Sequence, residues 1–210
     1  MPRRTEGMSF RPAGSEGFRP AGGLLGLAGA ALIALAGCAV PEGPAAPSTR
    51  APAEAVLARL PAQAAGFDRF GVQDVAPEDP GAGKVVEYAT ARRVAVAQVF
   101  LYDLGRPAVE PADLGPEAER AVSEATALPF DRTGRQLAVA SRSPLAVPGG
   151  DLSCALLTGT FGRNQVERQV CVGVVAGRFL RVQVTMPRRG APVADARAFT
   201  QEVAAAARRG

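Results

Sequence analysis

The sequence of 210 residues has no histidine and no tryptophan, and only two tyrosines, three methionines and three cysteines. Without histidine the commonest general base and the commonest metal ligand are missing, so serine-histidine and cysteine-histidine catalysis are excluded within this chain. Carboxylate, lysine or lone-serine chemistry stays open. Lysine is almost absent too: among 24 basic residues only Lys84 is not arginine. The formal net charge is +4. Setting aside residues 1–37, which hold four arginines and two glutamates, leaves +2, too little to imply a nucleic-acid partner. The apolar content of 47% is enough to bury a core, and the length fits one ordinary domain with extensions.

Long apolar runs are absent but for Leu24 to Ala36, 13 residues, against the ~20 that a helix needs to cross a bilayer. Arg11 and Arg19 precede the run and small residues lead to Cys38, the arrangement of a secretory signal with its cleavage site. Leu35-Ala36-Gly37-Cys38 resembles the lipobox of bacterial lipoprotein precursors. That resemblance implies removal of residues 1–37, a diacylglycerol thioether on Cys38 and acylation (palmitate) of the new amino terminus. Several acyl chains anchor durably, because each buried methylene contributes ~0.8 kcal/mol. Ala39, being other than Asp, implies sorting to the outer membrane, facing the periplasm. The leader also carries a short duplication, Phe10-Arg11-Pro12-Ala13-Gly14 and Phe18-Arg19-Pro20-Ala21-Gly22, for which there is no physical role, and Met8 competes with Met1 as the start. Arg3-Arg4 lacks the apolar continuation of a twin-arginine signal, so general secretion is the expected route.

Downstream, Pro41, Pro44, Pro47 and Pro52 stand among small residues without apolar periodicity, the composition of an extended tether. The expected organisation is a signal peptide over 1–37, acylated cysteine and tether over 38–62 with a short helix near Glu54 to Leu60, and one globular domain over 63–210. Within it, Val85 to Ala89 and Val94 to Leu104 read as a hairpin, and Pro116 opens a helix reaching Leu128. Gln136 to Ser141 reads as a weaker strand. Cys154 to Phe161, Val166 to Val175 and Phe179 to Met186 form a meander, and Val193 to Arg208 closes the chain as a helix with Ala196, Phe199 and Val203 at helical spacing. Runs of strands without strict alternation predict an α+β domain, a mainly antiparallel sheet with a mid-chain helix and a C-terminal helix packed on it. This order, with GFDRFGVQDVAPEDPGAGKVVEY from Gly66 to Tyr88, resembles small secreted bacterial domains and, more loosely, the PsbP-like superfamily. The latter resemblance implies a non-enzymatic accessory or assembly role and carries over no functional residue.

Cys154 and Cys171 fall on neighbouring strands. A two-residue loop at Gly162-Arg163 sets them directly opposite, and a loop at Arg163-Asn164 leaves them diagonal on the same face. Either arrangement in an oxidising compartment predicts a disulfide worth ~3 kcal/mol on the chain-entropy model. A redox site is disfavoured because there is no C-x-x-C spacing. The same register puts Ala155, Leu157, Phe161, Val170, Val172 and Val174 on a core face, with Arg168 at its end, and Thr158, Thr160, Glu167 and Gln169 on a partly wet face.

Other motifs are weak. Pro80-Gly81-Ala82-Gly83-Lys84 is followed by a strand, has Glu78 and Val85 where a Walker loop needs Gly and Ser or Thr, and so reads as a turn. Asp68, Asp74, Glu78 and Asp79 match no calcium-loop spacing and read as a solvated loop. Phe67, Phe70, Tyr88, Phe100 and Tyr102 read as core, with a ligand groove as the alternative. The pairs Arg92-Arg93, Arg188-Arg189 and Arg208-Arg209 read as solvated element ends, with contact to anionic headgroups or glycan polymers as the alternative. No cofactor, metal or catalytic residue is assigned. The expected function is a lipid-anchored envelope domain that binds or assists assembly, with the membrane and another envelope protein as partners. The alternatives are an enzyme using carboxylates such as Glu87 or Asp103 on cell-envelope material, and a purely structural domain.

Overall fold

The computed structural model describes residues 50–127, 134–188 and 190–209. The expected signal peptide, Cys38, the proline-rich part of the tether before residue 50, Leu128 and Arg189 lie outside the described residues. In chain order the elements are α1 (Ala53–Ala58), β1 (Gln63–Ala64), β2 (Phe67–Asp74), β3 (Lys84–Ala89), β4 (Val96–Tyr102), α2 (Leu114–Thr126), β5 (Arg135–Leu145), β6 (Leu152–Phe161), β7 (Asn164–Val175), β8 (Arg178–Pro187) and α3 (Ala196–Arg208). All eight strands join one antiparallel sheet in the order β1-β2-β3-β4-β8-β7-β6-β5. The fold is α+β, as the runs of strands imply.

Each face of this sheet carries a helix, so the face expected to be partly wet also holds core, while its Thr158, Thr160, Glu167 and Gln169 stay partly exposed. On the first face α3 lays Phe199, Val203, Ala204 and Ala207 over Val99, Leu101, Leu180, Val182 and Val184. Phe199 meets Phe67 and Tyr88 at ring-centroid distances of 4.7 and 5.2 Å. The Tyr88 hydroxyl donates to the Pro61 carbonyl at 2.9 Å, tying the chain before β1 to β3. On the second face α2 presents only Ala118, Ala121, Val122 and Ala125 over Ala155, Leu157, Val170, Val172 and Phe179. Small helix residues allow a close approach but cover little area, so α2 screens only part of its face.

Two further expectations change. The stretch from Phe67 to Asp74 is a strand, not a loop: it pairs with β3, and Gly71 sits opposite Glu87. Most of its side chains are exposed, so backbone pairing rather than an apolar alternation holds it there. The folded unit also begins upstream of residue 63, because Val56, Leu57 and Leu60, in the stretch expected as tether, are buried in the core under α3. Arg50 extends the same unit, its guanidinium 3.0 Å from the Asp103 carboxylate.

The β6–β7 hairpin closes through Gly162-Arg163, since Phe161 pairs with Asn164 and Cys154 with Cys171. The two cysteines are bonded to each other, with Cα atoms 4.1 Å apart, and both are buried in the core under α3.

Candidate functional site

Successive residues of a strand point to opposite faces, so the register of the inner strands dictates what the second face offers. Cross-strand rows run across it. Val174, Phe179 and Tyr102 form one, Val172, Arg181, Phe100 and Val85 the next, then Val170, Gln183, Gln98 and Glu87, then Leu157, Arg168, Thr185 and Val96. The first two rows lie toward α2 and are mainly aromatic and aliphatic. The last two put Gln183, Gln98, Glu87, Arg168 and Thr185 side by side on interior strands of the sheet, where alternating apolar residues are the rule. Beyond the reach of α2 this polar floor lies open in a groove of about 920 Å³.

The groove walls are built by local irregularities. The pairing of β2 with β3 skips Phe70, and this bulge leaves the ring half exposed at one rim. Arg93, from the β3–β4 turn, lies over it with the guanidinium 5.1 Å from the ring centroid. Gly71 runs close beside the floor: a Cβ there would stand 3.2 Å from Glu87 Oε2, which would have to move by a few tenths of an ångström. At the opposite rim Phe161, expected in the core, is 46% exposed at the hairpin end, with Arg135 4.8 Å over its ring.

Charge sets the groove apart. Its lining holds five arginines, Arg93, Arg135, Arg163, Arg168 and Arg188, against one carboxylate, Glu87. Arg168 is half-buried on the floor and its Nε donates to Thr185 Oγ1 at 2.8 Å. It forms no ion pair among the described residues. Burial, then the neighbouring Arg135 and Arg181 guanidiniums, hold its pKa below the ordinary arginine value. A partly desolvated cation pressed by like charges is a ready acceptor for an anion.

The end under α2 is arranged oppositely. The Glu117 carboxylate, 4% exposed, accepts the Tyr102 hydroxyl and two Arg120 bonds, from Nε at 2.7 Å and Nη2 at 2.6 Å. Burial first, then the bond to Glu117, pushes the Tyr102 phenol above its ordinary value. Arg142 grips Glu119 through two bonds of 2.7 and 3.0 Å, and Arg181 reaches Glu124 at 2.7 Å while stacking on Phe100 at 4.3 Å. The Tyr102–Glu117, Arg142–Glu119 and Arg181–Glu124 contacts clamp α2 to the sheet, while Arg120 pairs within the helix.

The remaining sequence candidates scatter. Glu87 lies in the groove, but Asp103 follows the far end of β4 and pairs with Arg50. Five residues of strand, about 17 Å, separate Gln98, which pairs with Glu87, from Asp103. The two carboxylates do not converge. Asp68 accepts from Gln63, Asp74 pairs with Lys84, and Asp79 caps Gly81, so each already has a partner. Among the described residues no three His, Cys, Asp or Glu come together as a metal site. Pro80–Ala82 is a 3-10 turn, and Gly83 at φ 71° passes so close to β4 that a Cβ would stand 2.1 Å from the Leu101 carbonyl oxygen. Those glycines serve chain crossing, not phosphate binding. Sequence reading noted Arg168 only as an arginine covering apolar surface and passed over Gln98, Gln183, Arg135 and Arg163. The available signal was Val182-Gln183-Val184-Thr185, whose polar residues become informative once β8 is known to be interior.

No protein-family model and no curated protein matches this chain. Among solved structures it is similar to the solution structure of cyanobacterial PsbP (CyanoP) from Synechocystis sp. PCC 6803, at 12% identity and a TM-score of 0.34, over 58% of this chain and 81% of that one. No helix of the described residues is long and apolar enough to cross a membrane.

Proposed function

We propose that the protein is an envelope lipoprotein acting as a non-enzymatic binding domain, held at the membrane through Cys38 and offering the groove of the second sheet face to a ligand. The observation that carries this reading is the groove itself: concave, rimmed by Phe70 and Phe161, floored by polar side chains and rich in arginine. Among the described residues Glu87 is the one carboxylate lining the groove, which suits recognition better than paired acid-base chemistry. The lipobox Leu35-Ala36-Gly37-Cys38 supports the anchor, and the disulfide between Cys154 and Cys171 suits an oxidising compartment.

The test is the intact mass of protein recovered from native membranes, alongside a Cys38→Ala variant. The expected result is a chain without residues 1–37 that carries acyl chains, and a variant that leaves the membrane fraction. A full-length, unacylated product would overturn the anchored reading.

A further inference from the structure

The groove's lining says what kind of ligand fits it. Four of its arginines, Arg93, Arg163, Arg168 and Arg188, form no ion pair among the described residues, and the fifth, Arg135, stacks on Phe161. Among the described residues of the lining, these four guanidiniums face the single Glu87 carboxylate and leave a formal excess of positive charge. Such an excess, gathered around the half-buried Arg168 in a concave groove, calls for an anion able to accept from several donors at once. A phosphate, with non-bridging oxygens pointing in different directions, does this for guanidiniums arriving from β3–β4, β6–β7 and β7.

The groove also has an apolar side. Val96 shares a row with Arg168 and Thr185, two inter-strand spacings or about 10 Å away, and is 42% exposed. Phe70, 50% exposed, and Val94, 37% exposed, extend that surface along the rim. An inorganic ion would leave this surface wet. A volume of about 920 Å³ is also far larger than a bare phosphate needs and lies within the range of sites for ligands of several hundred daltons.

We propose that the groove binds a phosphate-bearing amphiphile, one phospholipid-like molecule whose phosphate is held by Arg168 and the arginines around it while its apolar part lies against Val96 and Phe70. This rests on the reading of the chain as a binding domain and is independent of acylation at Cys38. Gln98 and Gln183 on the floor suit neutral hydroxyl or ester groups next to the phosphate.

The test uses the full chain carrying Cys38→Ala, which cannot be acylated, and titrates it calorimetrically with dihexanoyl phosphatidylglycerol kept monomeric. Dihexanoyl phosphatidylcholine, inorganic phosphate and hexaglutamate are the comparison probes. Phosphatidylglycerol is expected to bind at least about tenfold tighter than each of the three, and Arg168→Ala to weaken it by about tenfold without loss of thermal stability. Phe70→Ala, at the rim, weakens phosphatidylglycerol while leaving inorganic phosphate unchanged. Equal affinity for phosphatidylcholine would overturn recognition of the anion, and equal affinity for inorganic phosphate would overturn the apolar contact. Hexaglutamate binding as tightly as the lipid would replace the ligand class by an acidic peptide, and no binding of phosphatidylglycerol would overturn the proposal outright. Binding found for a chain that native membranes leave unacylated would overturn the anchor alone. Acylation found without binding would overturn this ligand alone.

Discussion

The two ends of the second sheet face use the same residue type for opposite ends. Under α2, Arg120, Arg142 and Arg181 are each paired with a glutamate of the helix, Glu117, Glu119 or Glu124. In the groove, Arg93, Arg163, Arg168 and Arg188 have no carboxylate partner among the described residues. A charge removed from water costs free energy unless a counter-charge offsets it. The covered end meets that condition within the chain, and the open end leaves it to a ligand. Paired arginines therefore hold the fold, and Arg168, half-buried on the floor and without an ion pair among the described residues, weakens it slightly in exchange for binding.

The largest effect calibrates the comparison from the other face. Replacing Cys154 and Cys171 by serine is expected to lower unfolding free energy by about 3 kcal/mol, read from denaturant melts at neutral pH. Next comes the covered end. Glu117→Ala leaves the buried Tyr102 hydroxyl without its acceptor and the 42% exposed Arg120 with Glu124 alone. After discounting for that exposure the loss is about 2 kcal/mol. A loss within 0.5 kcal/mol, roughly the usual range for surface substitutions, would break the claim that this end is held by its ion pairs.

Alkaline pH probes the same cluster. Both tyrosines, Tyr88 and Tyr102, have phenols raised above the ordinary 10.0, in each case chiefly by burial. A raised pKa in the fold means that this contribution is fully present below about pH 10, where the phenol is neutral folded or unfolded. It is lost as pH climbs beyond 10, because the unfolded chain ionises first. Tyrosinate absorbance should rise only together with unfolding, and a Tyr102→Phe chain should lose less stability between neutral pH and that window. Free titration of both phenols in the native state would contradict the packing described. The smallest effect belongs to the open end: Arg168→Ala should change stability by less than about 0.5 kcal/mol, or raise it, by relieving repulsion from Arg135 and Arg181. A loss matching that of Glu117→Ala would erase the distinction between the ends.

Much of the scaffold was legible in the sequence. The alternation of β6, β7 and β8, the narrow alanine stripe of α2 and the Phe199 and Val203 spacing of α3 reflect local periods of two and 3.6. The opposition of Cys154 and Cys171 followed from the first of two loop placements, Gly162-Arg163. β2 escaped notice because a largely exposed strand, flanked on its outer side only by the two-residue β1, carries charges and a glycine where alternation would otherwise show. The boundary at residue 63 was late because Val56, Leu57 and Leu60 follow a proline-rich run whose composition masked three core residues.

By itself, the sequence determined the element order from β3 onward, the disulfide and the exclusion of histidine chemistry, because each rests on neighbours close along the chain or on composition. Only the tertiary structure decided that both faces would be covered, that β8 would lie between β4 and β7, and that α2 would stop short of the arginine floor. Gln98 and Gln183 become one row through pairing of strands far apart in the chain. The physical reason is that a local period states which side of its own strand a residue takes, whereas what stands beside it and what covers it depend on long-range packing.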